Sequence, residues 1–251
     1  MLTELRRQRI LSLLKEYEMV TLTELTDSLN VSESTIRRDL QFMEDHGLLL
    51  RVHGGAKKVN TLNVEANMNE KSQVNVEGKI AIAKYAASLI QPNEIIYLDA
   101  GTTTFQMIPF LPTDVQLKVV TNSVKHAAQL SDYQIETIIL GGNVKLSTQA
   151  STGVTTSEQL QQYRFDQAFI GINGIDLHAG FTTPDIEEAH LKRIGLKNSA
   201  RPFILADATK FQTINFVQVA PVHAAEIITD HCPSDIRKRL SLHTTIKEVI
   251  I

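Results

Sequence analysis

The chain contains 251 residues, 43% of them hydrophobic and 21% charged, with a formal net charge of −3. This composition is typical of a globular protein and argues against general disorder. No apolar run approaches the roughly 18 residues of a membrane-spanning helix, and the start MLTELRRQRI lacks the apolar core of a signal peptide. Cys232 is the only cysteine, which excludes an internal disulfide and a cysteine-based zinc site. We therefore expect a cytoplasmic protein with no metal and no cofactor.

Two helices are predicted first. One is indicated by apolar residues at the spacing of a helix that buries one face, namely Ile10, Leu13, Leu14 and Tyr17. The next is indicated by Thr21 followed three residues later by Glu24, which is a capping-box pattern.

A third helix is predicted from the N-cap Ser32 to Gly47. Its apolar stripe consists of Ile36, Leu40 and Met43. The opposite face and its flanks carry Ser34, Thr35, Arg37, Arg38 and Gln41. Two short helices with such an outer face are typical of a helix-turn-helix, whose second helix reads base edges in the major groove. A small helical bundle with a solvated polar face would show the same periodicity.

The segment LLLRVHGGAKK, residues 48–58, reads as a β-hairpin that turns at Gly54 and Gly55. Directly after a recognition helix, such a hairpin is a wing that can lay Arg51, His53 and Lys57 along DNA phosphates or in the minor groove. Considered one at a time, His53 could be an ordinary turn residue, and Lys57 and Lys58 could be a solvated pair of charges. Residues 1–60 carry nine Lys or Arg against nine Asp or Glu. Because charges are screened over about 10 Å, the placement of the cations matters more than this balance.

Residues 31–56, VSESTIRRDLQFMEDHGLLLRVHGGA, resemble the signature of the DeoR family of bacterial transcriptional repressors. The VS, TIRRDL, glycine and R-HGGA elements stand at the family's spacing. The resemblance implies that residues 1–58 form a winged helix-turn-helix that binds operator DNA. The predicted DNA contacts are Ser32, Ser34, Thr35, Arg37, Arg38, Gln41, Arg51, His53 and Lys57.

Residues 59–78 show no clear period and are predicted to be a linker. Beyond them, short apolar runs alternate with helical stretches such as 79–90, 123–130 and 186–200. The runs are 95–98, 117–120, 135–140, 168–170, 203–206 and 226–228. This alternation predicts an α/β domain with a mainly parallel sheet over residues 79–251.

Polar residues follow five of these runs, in DAGTTT, TNS, GGN, GINGID and DATK. The carboxyl ends of parallel strands meet at one sheet edge, where α/β domains bind ligands. In DAGTTT, Gly101 permits a tight turn, and the threonines after it offer hydroxyls and N–H groups at a helix start, which suits a phosphate. An N-cap cluster would look the same, and Pro109 predicts that the helix is short or kinked. The loop is neither a Walker A loop nor a G-x-G-x-x-G fingerprint, so ATP and NAD are poorly supported.

Asp207 and Lys210 follow the apolar run 203–206. They could bind a sugar hydroxyl and a phosphate, act as acid and base, or form a surface ion pair. Glu187 and Glu188 stand at a helix start, which the helix dipole explains, and they are not predicted as ligands.

This half also resembles the DeoR family, in YLDAGTTT, VVTNS, LGGNVK, FDQAFIGINGID, AGFTTPD and LADATKF. The family's effector domain is similar in fold to ribose-5-phosphate isomerase and binds phosphorylated sugars. The resemblance implies a phosphate loop at Gly101, Thr102, Thr103 and Thr104. It implies further effector contacts at Asp99, Asn122, Lys145, Asp207 and Lys210. Within the family, YLDAGTTT, YRFDQAFIGINGI and AGFTTPD are most similar to the fructose-operon repressors, whose effector is fructose 1-phosphate.

The sequence thus favours a non-enzymatic repressor that a phosphorylated sugar releases from operator DNA, with no membrane partner. One winged domain reads few base pairs, so we expect a homo-oligomer. The alternative is a sugar-phosphate isomerase with an accessory N-terminal domain, in which Asp99, Asp207 and Lys210 supply acid–base groups. A third possibility makes the first domain a protein-interaction module.

Overall fold

The computed structural model describes residues 3–17, 19–46, 48–58, 62 and 67–249. The chain divides into two compact units, Met1–Thr61 and Leu62–Ile251. Gly47, the predicted end of the third helix, and residues 59–61 and 63–66 of the predicted linker lie outside the described residues. Within those described, no helix has the length and apolar character needed to cross a membrane.

The first unit combines three helices with a three-stranded antiparallel sheet. Its elements are α1 (Thr3–Tyr17), β1 (Met19–Thr21), α2 (Leu22–Leu29), α3 (Glu33–Asp45), β2 (Leu49–Val52) and β3 (Gly55–Lys58). The predicted hairpin is present as β2 and β3, and Gly54 in its turn has φ of 84°, a conformation that suits glycine. Strand β1, which the sequence did not indicate, pairs with β3.

The core of this unit is formed by residues from every helix, including Ile10, Leu14, Leu25, Ile36, Leu40 and Met43. The predicted capping box is present, because the Glu24 amide donates to Thr21 Oγ1 at 3.2 Å and the Thr21 amide donates to Glu24 Oε2 at 2.8 Å. Tyr17 was expected on the buried stripe of α1 but is 61% exposed at the end of that helix.

The second unit is an α/β domain. Its helices are α4 (Met68–Gln73), α5 (Val76–Ala87), α6 (Thr102–Phe105), α7 (Val124–Asp132), α8 (Val154–Gln161), α9 (Ile186–Lys197) and α10 (Ser234–Leu240). Its strands are β4 (Ile95–Leu98), β5 (Lys118–Thr121), β6 (Glu136–Ile139), β7 (Asn143–Lys145), β8 (Ala150–Thr152), β9 (Phe165–Gly171), β10 (Gly174–Asp176), β11 (Gly180–Thr183), β12 (Ser199–Leu205), β13 (Val217–Ala220), β14 (Glu226–Thr229) and β15 (Ile246–Glu248).

Seven strands form one sheet in the order β15-β14-β12-β9-β4-β5-β6, and every neighbouring pair is parallel. All six predicted apolar runs are strands of this sheet, so the predicted α/β fold class is confirmed. The order reverses between β4 and β9: the chain continues from β4 toward β6 on one side and from β9 toward β15 on the other. In open α/β sheets, ligands bind at the carboxyl ends of the strands beside such a switch point.

Side chains of the sheet alternate between two apolar layers. Tyr97, Ile170 and Ile204 pack in one layer, with residues of α8 and α9. Ile96 and Phe169 pack in the other, with residues of α5. Period-2 alternation places neighbouring residues on opposite faces, so the sheet is buried between helical layers.

The predicted linker 59–78 is partly helical, which corrects the sequence interpretation. Helix α4 and the start of α5 lie inside it. The Glu70 amide donates to Asn67 Oδ1 at 2.9 Å, and the Asn67 amide donates to Glu70 Oε2 at 3.1 Å. A helix of six residues shows too little periodicity to be recognised from an apolar stripe.

Candidate DNA-binding surface and effector pocket

The outer face of α3 is polar and exposed, as the sequence predicts. Ser34, Arg37, Arg38 and Gln41 are exposed, and Thr35 is half-buried. Ser32 occupies the N-cap position, but its hydroxyl bonds the hydroxyls of Ser34 at 3.0 Å and Thr35 at 2.9 Å and caps no amide. The start of α3 therefore presents a cluster of small hydroxyl groups.

The two adjacent arginines of α3 differ in their contacts. Arg37 Nε donates to Glu33 Oε1 at 2.8 Å, one turn earlier on the same helix. Arg38 is exposed and forms no hydrogen bond or ion pair with any residue in the described part of the chain. A contact of the Arg38 guanidinium with a base or a phosphate would therefore break no such intramolecular contact, whereas Arg37 would first have to leave Glu33.

The wing is fastened to α3. The Arg51 guanidinium donates to Gln41 Oε1, and the Arg51 amide donates to Glu44 Oε1 at 3.0 Å. His53, in the turn, and Lys57, on β3, are exposed. The contact between Arg51 and Gln41 brings two predicted DNA-binding residues together and fixes the wing beside the recognition helix.

Asp39 of α3 is buried and was not anticipated. It accepts from Arg6 Nε at 2.5 Å and from Arg7 Nε at 3.0 Å, and the Arg7 guanidinium lies 3.6 Å from the centre of the Phe42 ring. These contacts hold α1 against α3. The sequence shows Arg6 and Arg7 as an adjacent pair of cations. Helical periodicity alone cannot predict that they form ion pairs with an acidic residue more than thirty positions later.

A narrow pocket lies in the second unit, at the switch point of the sheet. It is lined by Met68, Lys71, Ala100, Gly101, Thr102, Thr103, Thr148, Gly171, Ile172, Asn173, Glu188, Lys192, Leu205 and Lys210. Gly101 follows β4, and Gly171 ends β9. A larger hollow is lined by Ile95, Lys118 and Glu136, at the amino ends of β4, β5 and β6, away from the edge where α/β sheets bind ligands.

Asp99 and Lys192 form a buried ion pair at the base of this pocket. Lys192 Nζ lies 2.5 Å from Asp99 Oδ2, and both side chains are less than 5% exposed. Asp99 Oδ2 also accepts from the Gly171 amide at 3.1 Å. The predicted effector residue Asp99 therefore joins β4 to β9, while Lys192, which the sequence did not indicate, reaches the pocket from α9.

Two predicted effector residues are turned into the protein. The Thr104 hydroxyl is within 2.6 Å of the Asp99 carbonyl and 3.1 Å of His126 Nε2. Asn122 Oδ1 accepts from the Tyr97 hydroxyl and the Ala100 amide, each at 3.1 Å. Neither residue lines the pocket, so both shape the loop that follows β4.

Asp207 is another predicted effector residue that does not line the pocket. It is fully buried, and its Oδ2 lies 2.9 Å from Lys79 Nζ. Burial raises the pKa of Asp207, but the charges of Lys210 and Lys79 and a hydrogen bond from Thr209 outweigh it, so the net pKa lies below its usual value. Its neighbour Lys210 does line the pocket.

Lys145 lies behind the pocket wall. Its Nζ contacts Asp185 at 3.0 Å and Glu188 at 3.1 Å. Glu188 Oε1 also accepts from the Thr148 hydroxyl at 2.9 Å. Glu188, which the sequence did not predict as a ligand, lines the pocket, whereas Lys145 is not part of the lining and contacts Glu188.

The charged side chains that line the pocket are three lysines, Lys71, Lys192 and Lys210, and one carboxylate, Glu188. Thr102 and Thr103 add hydroxyls, and in the described chain no group accepts a hydrogen bond from their amides. The helix that they begin has only four residues, followed by a 3-10 helix at Ile108–Phe110, as Pro109 predicted. Such a helix contributes little macrodipole, so the lysines and individual amides, rather than a dipole, make the pocket attractive to an anion.

The described residues include no group of His, Cys, Asp and Glu that could hold a metal ion. Carboxylates near the pocket are instead paired with lysines. The donor set fits an organic anion with hydroxyl groups.

Comparison with protein families identifies both units. Residues 6–61 match the DeoR-like helix-turn-helix domain, and residues 74–231 match the DeoR C terminal sensor domain. The chain belongs to the DeoR family. It is therefore a DNA-binding transcriptional regulator, and the alternative of an isomerase with an added domain is not supported.

Individual relatives of this DeoR-family chain cover most of its length. It is 45% identical over 91% of both chains to the "Uncharacterized HTH-type transcriptional regulator FruR" of Bacillus subtilis. It is 35% identical over 82% of both chains to the "Lactose phosphotransferase system repressor" of Lactococcus lactis. The structure of ribose 5-phosphate isomerase A from Methanocaldococcus jannaschii covers 55% of this chain and 56% of its own, with a TM-score of 0.42 and 18% identity.

Proposed function

We propose that this DeoR-family regulator is a repressor of a sugar-utilisation operon. It holds operator DNA until a phosphorylated sugar binds the pocket at the switch point of the sheet. The proposal is carried by the pocket lining, where Lys71, Lys192 and Lys210 face one carboxylate, Glu188. A phosphate monoester carries about −1.5 to −2 charges at neutral pH, and ammonium groups such as these can donate charge-assisted hydrogen bonds to it, although Lys192 is also paired with Asp99.

Uncharged groups of the same pocket support a sugar phosphate over inorganic phosphate. Thr102, Thr103, Thr148 and Asn173 bring hydroxyls and an amide to the lining, and such groups pair well with sugar hydroxyls. The resemblance of YLDAGTTT and AGFTTPD to fructose-operon repressors favours fructose 1-phosphate. The relative named as a lactose phosphotransferase system repressor supports a role in sugar uptake or use.

On the DNA side, we propose that α3 enters the major groove. Ser34, Arg38 and their exposed neighbours would meet base edges, while Arg51, His53 and Lys57 of the wing contact the backbone or the minor groove. The regulator would act in the cytoplasm as a homo-oligomer, because repeated half-sites multiply the few base pairs that one domain reads. The effector releases DNA only if it binds the conformation of low DNA affinity more tightly than it binds the other conformation. It can shift the balance by no more than the difference between these two binding free energies.

The test is thermal unfolding of the purified protein with a panel of phosphosugars, with fructose and inorganic phosphate as controls. A ligand that binds only the folded protein at 100 times its Kd adds about 2.7 kcal/mol of stability. Selective stabilisation by fructose 1-phosphate, together with its release of operator DNA, supports the proposal. A response to another phosphosugar changes the pathway, and no response to any of them refutes the sensor role.

A further inference from the structure

The outer face of α5 carries an apolar stripe. An open groove runs between this helix and β15, and its helical wall is formed by Glu77, Ile80, Ala81, Lys84, Tyr85 and Ser88. These positions follow the spacing of one helical face, whereas the opposite face, including Ile82 and Ala83, is buried in the sensor domain. Ile80, in the middle of the outer face, is 36% exposed. The helix is therefore apolar on two sides, and the described residues of its own domain cover only one of them fully.

An acidic and a basic residue stand at the two ends of this stripe. Glu77 in the first turn of α5 and Lys84 in the last are exposed, and neither forms an ion pair with any residue that the structure describes. The helix dipole explains an acid at the start of a helix and a base at its end. It does not explain why isoleucine and alanine stand between them on an outward face.

The two charges lie symmetrically about the apolar centre. Ile80 and Ala81 are the middle residues between Glu77 and Lys84, which are about 10 Å apart along the helix axis. If two copies of α5 meet antiparallel across a two-fold axis at this centre, each glutamate lies opposite the lysine of the other copy. The Ile80 and Ala81 side chains of both copies then meet at the axis, and the small alanine allows the helices to approach closely. A two-fold interface requires such a self-complementary surface.

We propose that α5 is an interface between two copies of this chain, which pack these helices antiparallel with Glu77 of each copy against Lys84 of the other. This inference rests on the proposed function, in which the regulator acts as a homo-oligomer, and it names the surface that joins the copies. A different protein would need the same charges in reverse order around an apolar centre. A second copy presents that arrangement automatically.

The second wall of the groove supports this assignment. Strand β15 is the last strand of the central sheet and, among the described strands, pairs only with β14. The Lys247 ammonium of β15 lies 5.0 Å from the centre of the Tyr85 ring, so the strand and α5 are joined across the groove. Proteins usually protect an open sheet edge with charged residues or a covering element. A helix of a second copy in the groove would lie beside this edge.

Charge-reversal variants of the full chain test the pairing. In Glu77→Lys, lysine would meet lysine at both ends of the interface, and in Lys84→Glu, glutamate would meet glutamate. Sedimentation equilibrium should give a dissociation constant of the oligomer that is about 10- to 100-fold higher for each variant. Glu158→Lys makes the same charge change as Glu77→Lys on the exposed face of α8, and its dissociation constant should stay within about twofold of wild type.

Two combinations should restore the attraction. The double variant Glu77→Lys with Lys84→Glu exchanges both charges, so its copies should associate as the wild type does. A mixture of the two single variants places lysine against glutamate at both ends of the interface. These variants should therefore form a mixed oligomer when combined, although each alone dissociates. Only an interface in which residue 77 of one copy faces residue 84 of the other predicts both recoveries.

The outcomes separate this inference from the proposed function. If the wild type is a monomer at every concentration, the homo-oligomer of the proposed function and the α5 interface are both wrong. If the wild type associates and the single variants match it, or if neither combination restores association, the oligomer stands and the α5 interface is refuted. The measurement uses no phosphosugar, so failure of the sensor role leaves the test of the interface intact.

Discussion

His126 donates a hydrogen bond from Nε2 to the Thr104 hydroxyl over 3.1 Å, and this contact joins α7 to α6. The Thr104 hydroxyl has one proton, which it donates to a backbone carbonyl, so the imidazole must be the donor. His126 Nδ1 then accepts from the Ser123 hydroxyl at 2.6 Å. The ring is neutral, with its proton on Nε2, and is fully buried.

Stability should fall as pH falls because of His126. Burial and the nearby charge of Lys125 lower its pKa from 6.5 to about 3. Between pH 6.5 and about 3, His126 is protonated in the unfolded chain but not in the folded protein. The free energy of unfolding therefore decreases by at most about 1.4 kcal/mol for each unit by which the pH falls. Chemical denaturation of wild type and His126→Gln at pH 7, 6 and 5 should show a flatter dependence in the variant. Exposed His223→Gln should keep the wild-type slope, and an equal slope for His126→Gln would exclude this role.

Lys192→Met should strongly destabilise the sensor domain. It leaves Asp99 buried without the ammonium that lies 2.5 Å away, and breaking a buried ion pair from one side costs about 3–5 kcal/mol. The double variant Asp99→Asn with Lys192→Met should recover much of this loss, because the amide carries no charge. Denaturant unfolding measures both effects. A loss below about 1 kcal/mol in the single variant would show that Asp99 finds another partner.

Arg38→Ala should weaken operator binding by about 10- to 100-fold, the usual effect of losing one arginine contact to a base. The guanidinium is exposed, and no intramolecular partner in the described chain is lost, so folding should be unaffected. Fluorescence anisotropy, at one salt concentration and with DNA selected by the wild type, gives the affinity. Stabilisation by effector serves as the internal control and should not change. Wild-type affinity in the variant would remove Arg38 from the interface.

Lys210→Ala should leave operator affinity unchanged and weaken the response to effector at least about tenfold, because it removes a charge-assisted contact. Lys210 lines the pocket in the second unit, whereas the proposed DNA contacts all belong to the first. The measurement is the effector concentration that releases half of the bound operator. Release at the wild-type concentration would exclude Lys210 from the site.

The sequence predicted the main sheet because each of its long strands is an apolar run bounded by turn residues. It missed β1 and β15, of three residues each, and α4, of six, because such short elements show no period. Turn chemistry was informative where a local hydrogen bond decides the structure, as at Thr21 and Glu24.

The pocket was predicted only in outline. Polar residues after strands indicated the sheet edge at which this pocket lies, but residue type does not show which way a side chain points. Thr104 and Asn122 turn inward to hold the loop, and Asp207 pairs with Lys79. Lys192 and Lys71 were missed because they lie within helices, where a lysine is usually a solvated surface residue.

Pairing of β4 with β9 also orders events during synthesis. The walls of the pocket come from strands that lie far apart in the chain, with β5 and β6 made between them. The core of the first unit lies between Ile10 and Ala56, so that unit can fold while the sensor domain is still on the ribosome. During synthesis, the regulator can therefore bind DNA before it can respond to a metabolite. A chain that ended before β9 would lack one wall of the pocket and could not respond to the effector.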